Sequence, residues 1–126
     1  MSTIVSARFS ADHLVLPRPV MVSARNTEVH RRRVWYLELT DAQGRRAKGL
    51  AAPLPGFSAE GFDEVEGALQ AISKAGGPVV GEELKDLDTI TALVLGAPWP
   101  ASVCHALEQA LIGLLAQRHA CEPRAL

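Results

Sequence analysis

Several protein classes are excluded by what this chain lacks. It has two cysteines, Cys104 and Cys121. A lone pair at that spacing matches no zinc or redox pattern, and without an export signal a disulfide is not expected. No apolar run approaches the ~18 residues that a membrane span requires, so no membrane partner is expected. The formal net charge is -1, too small for a field that would steer the chain to nucleic acid or an anionic surface. The opening residues Met1 to Arg8 carry no basic segment followed by an apolar core. An export signal is therefore not expected, and cytoplasmic residence is the default. The four histidines form no HxH or HxxxH pair that would hold a metal. There is no internal repeat and no low-complexity tract, and Gly44, Gly49, Gly56 and Gly61 form no phosphate-cradling pattern.

What remains is ordinary in amount and organised in pattern. The 126 residues, 48% apolar and 21% charged, fit one globular domain spanning 1–126, able to fold around a modest core. The first half reads as strand. Val5, Ala7 and Phe9 alternate with Ser6, Arg8 and Ser10, the period of a half-buried strand. Residues 17–30, with Pro17, Pro19 and Asn26, read as a long mobile loop. Val34 to Thr40 is rich in aromatic and branched residues. Asp41-Ala42-Gln43-Gly44 has turn chemistry, and Arg45 to Ala52 pairs back.

The second half reads as helix. Ser58 is placed to cap a helix whose first turn is acidic and whose apolar face is Phe62, Val65, Leu69 and Ile72. Gly76-Gly77-Pro78 ends it. Asp86 caps a short helix with Leu87, Ile90 and Val94 inward. Pro98-Trp99-Pro100 links to a last helix with the stripe Val103, Leu107, Ala110, Leu111, Leu114 and Leu115. The expected fold is α+β: a three-stranded antiparallel meander (about 3–16, 33–40, 45–52) packed on three helices (about 59–75, 87–95, 100–118).

Few residues invite chemistry. Cys104 and His105 are neighbours, but adjacent helix positions point about 100° apart and do not face each other. The acidic group Glu60, Asp63, Glu64 and Glu66 is accounted for by the helix dipole. Arg31-Arg32-Arg33 opens a strand and has two readings. One is an exposed edge guarded by charge; the other is a guanidinium group set near an anionic ligand. The connection Ala51-Ala52-Pro53-Leu54-Pro55-Gly56-Phe57-Ser58 is stiffened by two prolines, yet it carries Leu54 and Phe57 where water favours polar side chains. Nothing assembles a nucleophile, base and oxyanion hole, so the residues alone describe no self-sufficient enzyme.

That connection, preceded by Gly49-Leu50 and followed by an acidic helix start, resembles the matching segment of o-succinylbenzoate synthases in the enolase superfamily. Pro100-Ala101-Ser102-Val103 and Ala106 to Leu111 resemble the helix that precedes the barrel in those proteins. The likeness runs from about Ile4 to Leu126. It implies the capping domain that closes over a (β/α)-barrel, whose lysines and Mg²⁺ ligands dehydrate a cyclohexadiene carboxylate to o-succinylbenzoate. Those barrel residues do not occur in these 126 residues. The implied partners are a barrel domain, in the same or another chain, and a small carboxylate substrate. The implied substrate-facing residues are Leu54, Pro55, Gly56, Phe57 and Ser58, with Arg33 from the basic run. Pro17 to Arg33 becomes the implied lid. The family it resembles usually has Trp and Glu where this chain has Lys48 and Leu50. The alternatives are a non-catalytic binding module or a homo-oligomer formed through the apolar surface a barrel would cover.

Overall fold

The computed structural model describes residues 2–22, 27–53 and 61–119. Side chains are described for 3–13, 33–53 and 61–119. The elements run β1 (Ser2–Val22), β2 (Thr27–Asp41), β3 (Arg46–Ala51), α1 (Phe62–Ser73), β4 (Glu83–Leu84), α2 (Leu87–Val94) and α3 (Ala101–Arg118). The fold is α+β, with one antiparallel sheet and three helices. The sheet has four strands, not three, in the order β3-β2-β1-β4. The fourth strand is only two residues long, paired to Ser2 and Thr3. A segment that short has no period from which to read it.

Two expectations for β1 fail for identifiable reasons. The described parts of the stretch expected as a loop, 17–22 and 27–30, belong to strands. β1 and β2 pair far beyond Val15, out to Val20↔Val29, Met21↔Glu28 and Val22↔Thr27. The irregularity falls between Val15 and Val20 on β1, where Pro17 and Pro19 cannot donate to the ladder. The prolines interrupt the pairing without ending it. Val5 was also expected inward with Ala7, but it is 51% exposed, while Ile4 and Ala7 are buried. Ile4 pairs with Asp41 and Ser6 with Thr40. Val5 is thus the extra residue of a β-bulge, and the bulge turns it outward.

The core lies between the sheet and the helices. β2 supplies Trp35, Leu37 and Leu39, all fully buried on one face of the strand. α3 covers that face with Val103, Leu107, Ala110, Leu111, Leu114 and Leu115, the stripe read from spacing, and with Ala106, which the spacing did not pick out. Glycines on both partners, Gly49 and Gly113, let the α3 backbone lie close against β3. α3 also ties the sheet at both edges. Gln109 Oε1 accepts from Leu50 N at 3.0 Å, and Arg118 Nη1 donates to Leu84 O at 2.7 Å. α1 buries Val65, Leu69 and Ile72. Its first residue is Phe62 with Gly61 at the N-cap, so the expected start near 59 and the Ser58 cap are displaced. Ser58 itself lies outside the described residues. α2 is capped as expected: Asp86 Oδ1 accepts from Thr89 N at 2.9 Å.

Candidate functional site

β2 is built to carry its core stripe past the end of β3. The last β3 pair is Trp35↔Ala51, and beyond it β2 pairs, among the described residues, with β1 alone, Arg33 opposite His13. Side chains alternate along a strand, so Arg33 falls on the same face as Trp35, Leu37 and Leu39. The strand therefore places a cation where the next core residue belongs. β2 is an inner strand through Trp35, so charge guarding a sheet edge describes Arg33 only where β3 has stopped.

The cation is accommodated by rings. The Arg33 guanidinium carbon lies 5.0 Å from the Trp35 ring centroid and 5.7 Å from that of Phe62. The two rings meet edge to face, 5.5 Å apart at 64°. Such stacking is attractive and leaves the in-plane N–H groups of the guanidinium unused. Arg33 is half-buried, and no carboxylate among the described residues pairs with it. The Trp35 indole Nε1 is likewise buried without an acceptor among them. Trp35 was read only as a strand residue and Phe62 only as part of a helical stripe. Their partnership joins distant parts of the chain, so local pattern carried no signal of it.

The described residues on either side of the apolar connection meet at this corner. Ala51, where the connection begins, is the pairing partner of Trp35, and Phe62, the first residue of α1 after it, is the second ring under Arg33. Leu54, Pro55, Gly56, Phe57 and Ser58 lie outside the described residues. Of the substrate-facing set inferred from sequence, the structure therefore places Arg33 alone.

The other polar candidates do not gather there. Cys104 is half-buried, its Sγ 3.6 Å from Trp99 O, while its neighbour His105 is exposed. His105, Lys48, Glu108 and Gln109 line a shallow groove of about 510 Å³ along β3 and α3. Leu50 donates its backbone N–H to Gln109 Oε1 in the groove wall. Among the described residues no three His, Cys, Asp or Glu side chains stand together. None of the described helices is long and apolar enough to cross a membrane.

No protein-family model matches the chain, and no curated protein does. Solved structures do. The L-Ala-D/L-Glu epimerase from Bacillus subtilis matches with a TM-score of 0.78 at 19% identity, over 93% of this chain and 32% of its own. The dipeptide epimerase from Methylococcus capsulatus, complexed with Mg and the dipeptide L-Arg-D-Lys, gives 0.78 at 22% identity, over 93% and 32%. An enolase superfamily member from Roseovarius nubinhibens gives 0.77 at 17%, over 94% and 32%. At these identities the likeness is one of fold. This chain spans about a third of the length of the enolase-superfamily structures it matches, and nearly all of it shares their fold.

Proposed function

We propose that the chain is the substrate-capping domain of an enolase-superfamily enzyme, and that its chemistry requires a (β/α)-barrel in the same or another chain. The observation that carries this reading is the coverage: 93% of this chain superimposes on 32% of an enzyme in the superfamily. Within the superfamily, the residues favour an o-succinylbenzoate synthase-like enzyme acting on a cyclohexadiene carboxylate. That narrower reading rests on Leu54-Pro55-Gly56-Phe57-Ser58 following Ala51-Ala52-Pro53. These residues, with Arg33, are proposed to wall the chamber at the substrate's non-reacting end. Excluding water there strengthens each charge–charge contact inside. Mg²⁺, held by barrel carboxylates, would stabilise the charge that develops on the substrate carboxylate.

The second reading is a binding or self-associating module that has kept the capping fold. Lys48 and Leu50, in place of Trp and Glu, are the residues that favour it.

Turnover separates them. The pure chain with Mg²⁺ is expected to convert neither the cyclohexadiene carboxylate nor a dipeptide. Adding a superfamily barrel that lacks its own capping domain is expected to yield o-succinylbenzoate. Epimerised dipeptide in place of that product would move the specificity to the epimerases. Product from the chain alone would overturn the proposal.

A further inference from the structure

Arg33 is a cation in a core position without a counter-charge among the described residues. The faces of its guanidinium are taken by Trp35 and Phe62, at 5.0 and 5.7 Å. The group has five donors and no acceptor. Its in-plane donors therefore point away from both rings, at the corner where β3 stops. A half-buried guanidinium with no acceptor carries an unmet desolvation cost, and a planar oxyanion meets it with two parallel hydrogen bonds. A second donor of the same kind lies in the ring beneath it, the buried Nε1 of Trp35.

The surroundings narrow the anion. Asp63 and Glu64 follow Phe62 and are exposed. Neither pairs with Arg33, and both repel a dianion more than a monoanion. Phe62 is only partly buried, which leaves ring surface for an apolar body. A monocarboxylate on a flat hydrophobic skeleton satisfies each of these conditions; a phosphate monoester satisfies only the first.

We propose that Arg33, held flat by Trp35 and Phe62, is the specificity-determining anchor for the carboxylate of a small, flat, apolar ligand beside β2, where β3 has stopped. The assignment deepens the capping reading and rests on this corner facing a substrate chamber.

The test is a titration of the ¹⁵N-labelled full chain with sodium benzoate, followed by NMR, with sodium chloride and inorganic phosphate at matched ionic strength as controls. Saturable shifts are expected at Arg33 Nε–H, Trp35 Nε1–H and the Phe62 amide, with a millimolar Kd. Arg33→Met keeps the stem on the rings and removes the fork; benzoate affinity is expected to fall about tenfold or more. Arg33→Lys keeps the charge without the paired donors and is expected to lie between the two. It also serves as the readout should the Met variant fail to fold. Three results would overturn the site: no saturable shift at these groups, an unchanged Kd in both variants, or an equal response to chloride. The titration involves no barrel. A null result here therefore leaves the capping role standing, and benzoate binding to a chain that no barrel recruits removes the capping role but not the site.

Discussion

A Cβ built on Gly49 falls 1.8 Å from the carbonyl oxygen of Ala106. The strand and the helix meet there backbone to backbone, and no flexible side chain stands between them to yield. Gly49→Ala is therefore expected to separate β3 from α3, at a cost of at least about 3 kcal/mol. Gly113→Ala is the contrast. Its Cβ falls 2.8 Å from the Ala47 Cβ, which is fixed to the β3 backbone, so a small shift is still required. The better helix propensity of Ala partly offsets it, and a loss of about 1–2 kcal/mol is expected, below that of Gly49→Ala. Urea denaturation of both variants checks the order; equal stability losses would contradict the backbone contact.

Asp41 organises the turn that sets β2 against β3. It is 1% exposed, and its Oδ1 accepts from Gln43 N and Arg45 N, both at 2.9 Å. Its Oδ2 accepts from Arg45 Nε at 2.7 Å. Asp41→Ala strands these donors beside a buried site, and a loss of about 2–3 kcal/mol is expected. Arg45→Ala, whose side chain is 26% exposed, is expected to cost less, because the two backbone donors keep their acceptor. A milder effect at Asp41 than at Arg45 would reverse this assignment.

The α2 cap carries a pH signature. The Asp86 carboxyl is held below its ordinary value, first by the backbone N–H of Thr89 and then by the Thr89 hydroxyl. A group whose folded pKa is depressed stabilises the fold above its unfolded value and loses that contribution as pH falls through the folded value. The stability difference between the native chain and Asp86→Ala is thus expected to be constant at neutral pH and to shrink below about pH 4. Thermal melts across that range measure it, and a difference independent of pH would show that the carboxylate charge plays no part.

Phe57 separates a wall from a core. In a barrel-complete protein, Phe57→Ala is expected to lower kcat/KM for the cyclohexadiene carboxylate with only a small change in melting temperature. A stability loss of about 3–5 kcal/mol, typical of a buried Phe, would mean that the side chain packs inside the domain.

Much of this architecture was legible because it is periodic. The α3 stripe from Val103 to Leu115 and the Asp86 cap follow from spacing and side-chain chemistry. The Asp41–Gly44 turn follows likewise, with Gly44 at φ 81°. What escaped depends on partners distant in sequence. β4 exists because Thr3 lies beside Glu83. The hairpin survives Pro17 and Pro19 because a long partner strand continues past them. The bulge that turns Val5 outward shows only against Asp41 and Thr40. At the candidate site, the basic run drew attention to Arg33, but composition could not show that Trp35 and Phe62 clamp it. The enolase-superfamily likeness was legible in the Gly49–Ser58 segment, and the solved structures support it at the level of fold.

Sedimentation velocity on a mixture of this chain and a separately prepared superfamily barrel domain measures the capping role most directly. One co-sedimenting 1:1 species is expected, formed in the presence of Mg²⁺ and substrate and absent when either protein is run alone. Two independent boundaries at high concentration, or a species made of this chain only, would contradict it.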